Sequence, residues 1–68
     1  MLPIGELALA SGVSVDTVRY YEKRKIIHSI SRTCGGFRLF DLHTVEQIKF
    51  IKQAQEFGFS LDEIKGLL

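Results

Sequence analysis

Among its 68 residues the chain has one cysteine, one proline, one methionine and no tryptophan. A single cysteine, Cys34, cannot close an internal disulfide, and no second one exists to complete a CxxC metal or redox pair. Also missing is any apolar run near the roughly 20 residues that a membrane span requires. The N-terminus lacks the basic start and long apolar stretch of a secretory leader. Excess charge of either sign is absent too, since nine Lys and Arg face eight Asp and Glu for a formal net charge of +1. With 46% hydrophobic residues, this is the composition of a folded cytosolic domain, neither a disordered tail nor a disulfide scaffold. The length allows one domain, residues 1–68. Below about 70–80 residues one core rarely contributes more than ~3–5 kcal/mol, so a natural chain this short usually leans on a partner. An enzyme, which needs a cleft walled by a larger scaffold, is not expected.

The small net charge would also argue against nucleic acid, but the charge is sorted along the chain. Residues 17–38 hold Arg19, Lys23, Arg24, Lys25, Arg32 and Arg38 against Glu22 alone, a balance of +5. Each flank is acidic by two: residues 1–16 carry only Glu6 and Asp16, and residues 39–68 carry three lysines against five acids. A basic stripe with interleaved aromatics (Tyr20, Tyr21, Phe37, Phe40) is the electrostatic footprint of a phosphate-backbone binder. By itself a charge run is more often a solvated face. Where the cations fall on the secondary structure decides between the two.

Pro3 suits the entry of a helix, where its missing N–H costs nothing. Ile4, Leu7 and Ala8 follow at helical spacing, and Gly12 stands where a helix turns through a left-handed residue. Ser14 reads as an N-cap, with Asp16 in the first turn, for a second helix from Val15 to about Lys25 with Val18 facing inward. Two short helices joined by Gly12-Val13-Ser14 form a helix-turn-helix. From Ile26 to Phe40 the helical period is lost. Ile30–Arg32 and Phe37–Phe40 alternate around Thr33-Cys34-Gly35-Gly36, the pattern of a β-hairpin that must lean on the helices. Asp41 caps a third helix over about Leu42 to Phe57, with Val45, Ile48, Ile51 and Ala54 inward, and Thr44 with Gln47 is a competing cap. Gly58 ends it. Ser60-Leu61-Asp62-Glu63 is a capping box that opens a last helix with Leu61, Ile64, Leu67 and Leu68 on its apolar face.

The expected fold is mostly α: a winged helix-turn-helix, with a β-hairpin wing and two further helices. In that arrangement the second helix enters the major groove while the wing reaches backbone or minor groove. Every cation of the stripe falls on that helix or on the segment leading through the wing. A random charge run would not choose those two elements, so DNA binding outweighs the solvated face.

Three segments also resemble a known family. Ile4-Gly5-Glu6-Leu7-Ala8 with Gly12 through Glu22 is similar to the opening of the mercury-resistance-regulator (MerR) family of bacterial transcription factors. Arg32-Thr33 and Gly36-Phe37-Arg38-Leu39-Phe40-Asp41 resemble its wing motif, and Gln53 through Ile64 resembles the segment after the wing. The match runs in register through nearly the whole chain. The resemblance implies a domain that binds a palindromic promoter operator on double-stranded DNA as a homodimer and works with RNA polymerase. It also implies activation by bending and untwisting an over-long promoter spacer, in which phosphate contacts offset the cost of deforming the duplex. The family's dimerising helix and effector region lie C-terminal to the part matched, so the chain is expected to be a fragment or a short gene product. A cytoplasmic, nucleoid-associated place follows.

The resemblance marks Arg19 as a phosphate contact beside the groove, against the plainer role of a surface pair with Asp16 or Glu22. Tyr20 resembles a phosphate-contacting tyrosine, whereas Tyr21 can turn either to phosphate or to the core. Asp16 and Thr17 lie in the first turn of the recognition helix, where side chains reach base edges. Thr17 can touch a thymine methyl, and Asp16 can instead serve only the helix dipole. Lys23 and Arg24 add backbone attraction. Arg38 is the strongest wing candidate, with Arg32 facing phosphate on the same wing. Phe37 and Phe40 stand where the family usually has tyrosine, so both are read as structural. A lone Cys34 makes a weak ligand set, and no cofactor or metal is called for. His28 and His43 read as surface or capping residues, and Ser14 has no His–Asp arrangement around it. Two other classes stay open: a stand-alone excisionase-like architectural DNA binder, and a protein-interaction module whose basic face receives an acidic, DNA-mimicking antirepressor.

Overall fold

The computed structural model describes residues 1–68. It begins with a feature that local patterning does not show, a two-residue strand β1 (Leu2–Pro3) immediately before helix α1 (Ile4–Ser11). Pro3 serves both elements. Its φ of −62° and ψ of 158° are extended, which fits an edge strand that needs no N–H there, and the same residue stands at the helix N-cap. Gly12 ends α1 at φ +73°, and its N–H reaches the carbonyls of Ala8 and Leu9. An L side chain is strained in that region, so the glycine sets the turn. Ser14 Oγ then accepts from the Thr17 N–H at 3.1 Å and starts α2 (Val15–Lys23).

Helix α2 stops two residues earlier than the pattern predicts. Lys25 adopts φ +61°, the only non-glycine residue with positive φ, and its N–H bonds the Glu22 carbonyl at 2.9 Å. The Ile26 N–H bonds the Tyr21 carbonyl at 3.0 Å. This left-handed turn carries Ile26 and Ile27 into the core, where both are buried. Local patterning, which loses the helical period at Ile26, gives no sign of this burial.

The hairpin itself consists of β2 (Ser31–Arg32) and β3 (Arg38–Phe40), shorter than the alternation predicts. Its turn is closed by Gly36 N–H to the Thr33 carbonyl at 2.9 Å, with Gly36 at φ +83°, the left-handed residue that such a loop requires. Strand β3 is central in an antiparallel sheet of order β1-β3-β2, pairing Leu2 with Phe40 on one side and Arg32 with Arg38 on the other. Helix α3 (His43–Glu56) follows. Its N-cap position is Leu42, which offers no side-chain cap, and the Asp41 carboxylate one residue earlier accepts from His43 N–H at 3.0 Å, the bond expected of Asp41 with the cap displaced by one residue. The competing cap, Thr44, is instead buried. Gly58 at φ +93° turns the chain, and the Ser60–Glu63 capping box opens α4 (Leu61–Leu67).

The core is one cluster: Leu7 and Ala8 of α1, Val18 and Tyr21 of α2, Ile26 and Ile27 after its end, Phe40 of β3, Ile48, Ile51 and Ala54 of α3, and Leu61 and Ile64 of α4. Burying an aliphatic or aromatic side chain of this size contributes roughly 1.5–3 kcal/mol. Two expectations fail at its edge. Phe37 is 72% exposed, so of the two wing phenylalanines only Phe40 is structural. Leu67 and Leu68 are exposed as well, because the inward face of α4 ends at Ile64. The assembled chain is a helix-turn-helix with a hairpin wing and two supporting helices, as expected.

Candidate nucleic-acid interface

Arg19 and Lys23 lie four residues apart on α2, which puts them on one face one turn apart. Arg32 and Arg38 are directly opposite each other across the β2–β3 ladder, so their side chains share one face of the hairpin. The fold sets these two faces against a common hollow lined by Arg19, Glu22, Lys23, Arg32 and Arg38, with no hydrophobic residue among them. Four cations meet one acid there. Like charges gathered in this way repel in the free protein, and the arrangement favours a polyanion that neutralises several at once.

The acid is accounted for. Glu22 Oε1 lies 3.2 Å from Arg38 Nε, and the Glu22 side chain is only 18% exposed against 44% for Arg38. Arg19 has a looser neighbour, Asp16, at 3.7 Å, with both side chains largely in solvent. Such an exposed pair contributes little to stability and yields readily to another anion. Arg32 Nη1 donates to the Gly36 carbonyl at 3.4 Å, a bond inside the wing loop. Lys23 has no partner in the chain.

The remaining site candidates separate by position. Asp16 is exposed and Thr17 half-buried in the first turn of α2, with Thr17 Oγ1 2.9 Å from Ser14 Oγ. Tyr20 is exposed beside them. Tyr21 takes the inward alternative, against its place among the DNA contacts. Its ring is buried, and its hydroxyl donates to Gln55 Oε1 of α3 at 2.8 Å. One residue along a helix is a rotation of about 100°, which separates Tyr21 from Tyr20 although their ring centroids stay 6.2 Å apart. Burial, and then the neighbouring Tyr20, push the Tyr21 phenol above its ordinary value of 10.0. Arg24 is drawn away from the hollow by Asp62 of α4, whose Oδ1 accepts from its Nη2 at 3.1 Å. Glu22 is the residue that sequence reasoning missed as part of the site. Its helical spacing from Arg19 was legible, but its partner across the wing is a tertiary contact.

Cys34 is exposed in the wing loop, and His28 and His43 are exposed. No helix is long and apolar enough to cross a membrane. A second surface feature lies away from these cations, an open apolar hollow of Phe50, Ala54, Phe57, Phe59 and Leu67 between α3 and α4.

Comparison with known proteins gives a consistent result. The model of the MerR helix-turn-helix family of regulatory proteins matches residues 2–68. The transcriptional regulator ZntR of Escherichia coli is 47% identical over 68 residues, covering all of this chain and 48% of ZntR. A mercuric resistance operon regulatory protein of Bacillus cereus is 48% identical over 65 residues, covering 96% of this chain and 49% of that protein. The lead(II) complex of the transcription regulator PbrR691 from Ralstonia metallidurans superposes with a TM-score of 0.87 at 36% identity, over 98% of this chain and 52% of PbrR691. The chain thus spans about half the length of the relatives it matches.

Proposed function

The chain belongs to the MerR family of helix-turn-helix regulatory proteins, and from that premise we propose that it binds double-stranded DNA at a palindromic promoter operator and regulates transcription there. The observation that carries this reading is the convergence of Arg19 and Lys23 of α2 with Arg32 and Arg38 of the wing on one hollow. Phosphates spaced along a duplex are the polyanion such a hollow fits. In this reading α2 lies in the major groove and Arg19, Lys23, Arg32, Arg38 and the Tyr20 hydroxyl hold the backbone. Arg24 gives longer-range attraction from its pair with Asp62. Thr17 and Asp16, at the start of α2, face base edges. The Thr17 hydroxyl is already engaged by Ser14, which supports apolar contact of Thr17 with a thymine methyl over a polar one.

A palindrome needs two copies, so the working form is a homodimer. The exposed apolar surface of α3 and α4 is consistent with further association. Activation follows from holding both half-sites of a deformed spacer so that RNA polymerase engages both promoter elements. The relatives are named as regulators, not enzymes, and no catalytic role is assigned. A cytoplasmic, nucleoid-associated place goes with this function.

Selecting bound duplexes from a random library supplies the operator, after which two substitutions separate the two kinds of contact. Arg38→Ala weakens binding about equally on all sequences, while Thr17→Ala changes the preferred base at one position. Recovery of no preferred sequence from the library would overturn the operator reading.

A further inference from the structure

Glu22 is a single acid placed among four cations, and charge alone makes it a liability for a polyanion site. Its geometry gives it a different use. We propose that Glu22 is a positioning residue, holding the Arg38 guanidinium, and with it the wing, against α2 in the attitude that meets a DNA phosphate. The inference rests on the DNA-binding reading above and adds a role for a residue that touches no DNA.

Three observations support it. First, the contact of Glu22 Oε1 is with Nε, at 3.2 Å, the edge of the guanidinium nearest the stem. The two terminal nitrogens have no partner in the chain, so the fork that grips a phosphate stays open. Second, Glu22 is the more buried member of the pair, so the acid is seated in the fold while the guanidinium faces solvent. Third, no other ion pair or hydrogen bond joins α2 to residues 31–38. The strands of the wing are two and three residues long, and every residue from Ser31 to Arg38 is exposed. Strand β3 anchors the base of the hairpin through β1 and the buried Phe40, but towards its exposed end the Glu22–Arg38 pair is the one polar tie to the recognition helix.

The charge effect and the positioning effect have opposite signs, which makes them separable. Removing an acid beside phosphates should strengthen binding, whereas releasing a pre-oriented arginine and its wing should weaken it. The probe is a mixed-sequence duplex of about 30 base pairs titrated at low salt by fluorescence anisotropy, because phosphate contacts carry no sequence information. Glu22→Ala is expected to weaken binding by about three- to tenfold. Glu22→Gln, which keeps a polar oxygen in place, is expected to weaken it by less than about threefold. In the background of Arg38→Ala both substitutions should strengthen binding, because the acid then has nothing to hold and only repels phosphate. Circular dichroism checks the fold of each variant, and Glu22→Gln carries the same sign reversal if Glu22→Ala does not fold. Glu22 variants that bind as tightly as wild type or tighter, in a protein where Arg38→Ala weakens binding, overturn the proposal and make Glu22 a competitor of DNA. A wild-type chain that binds no duplex at low salt overturns the DNA reading itself, and the proposal with it.

Discussion

Tyr20 and Tyr21 are adjacent and alike in chemistry, but the first is exposed and the second buried, so removing one hydroxyl at a time is a sharp test of the proposed site. The Tyr21 hydroxyl donates to Gln55 Oε1 at 2.8 Å, joining α2 to α3 across 34 residues of sequence. Its loss in Tyr21→Phe removes one neutral hydrogen bond, a net contribution of about 1 kcal/mol. Gln55 is exposed, so its oxygen regains water and no further desolvation cost is added. For a domain of this size 1 kcal/mol moves the melting temperature by roughly 4–8 °C. Tyr21→Phe should therefore melt several degrees below wild type at neutral pH while its affinity for DNA is unchanged. Tyr20→Phe should do the reverse, melting like wild type and binding DNA more weakly. The pH dependence follows from the same geometry. Burial raises the folded Tyr21 phenol above 10.0, so its stabilisation is complete below 10.0 and is lost as pH rises through the higher folded value. Tyr21→Phe should flatten that alkaline decline. Thermal melts by circular dichroism and anisotropy titrations read both arms. A Tyr21→Phe protein that melts like wild type but binds DNA several-fold more weakly would refute the inward placement.

Three further outcomes are expected. Lys25→Gly should raise stability by about 0.5–1 kcal/mol in denaturant titrations, because glycine adopts the left-handed turn without the Cβ clash that lysine endures; a destabilised variant would contradict the φ of +61°. Phe40→Ala should cost about 3–5 kcal/mol and leave the chain largely unfolded, while Phe37→Ala should stay within about 0.5 kcal/mol of wild type, since the first ring is fully buried and the second exposed. The Glu63 carboxylate accepts from the Ser60 backbone N–H while Ser60 Oγ accepts from the Glu63 backbone N–H, and the Ser60 backbone and then its side chain hold the folded carboxyl below 4.5. Its contribution is present above 4.5 and lost as pH falls through the folded value. Glu63→Gln should remove that acid-side decline from a series of melts, and an unchanged decline would mean that the capping box does not persist in solution.

Much of the fold was legible because local chemistry carries it. Ser14 and Ser60 each cap a helix through their own side chains and Asp41 bonds the first N–H of α3, Gly12 and Gly58 each turn the chain at positive φ, and apolar spacing marked Val18, Ile48, Ile51 and Ile64 as buried. What patterning missed was decided by tertiary contact or against local preference. A strand of Leu2 and Pro3 exists only because β3 lies beside it. Lysine is a poor signal for a left-handed turn, so the early end of α2 and the burial of Ile26 and Ile27 could not be read from residue type. Phe37 and Phe40, three residues apart, fall on opposite faces of an alternating strand, so the period separates them where residue type does not; the first comes before β3 and stays in solvent. The site divides in the same way. The stripe of cations was visible by counting charges, whereas the selection of Arg19, Lys23, Arg32 and Arg38, the withdrawal of Arg24 to Asp62 and the pairing of Glu22 with Arg38 are products of packing.

The central claim is that these four cations form a phosphate-backbone site, and salt dependence tests it most directly. Binding to a mixed-sequence duplex should weaken as a power of salt concentration, with each neutralised phosphate adding about −0.9 to the log–log slope. Four contacts give an expected slope of about −3 to −4 per chain, which Arg19→Ala or Arg38→Ala should each reduce in magnitude by about one, while Arg24→Ala leaves it nearly unchanged. A slope near zero, or one lowered by Arg24→Ala and untouched by Arg38→Ala, would contradict the site.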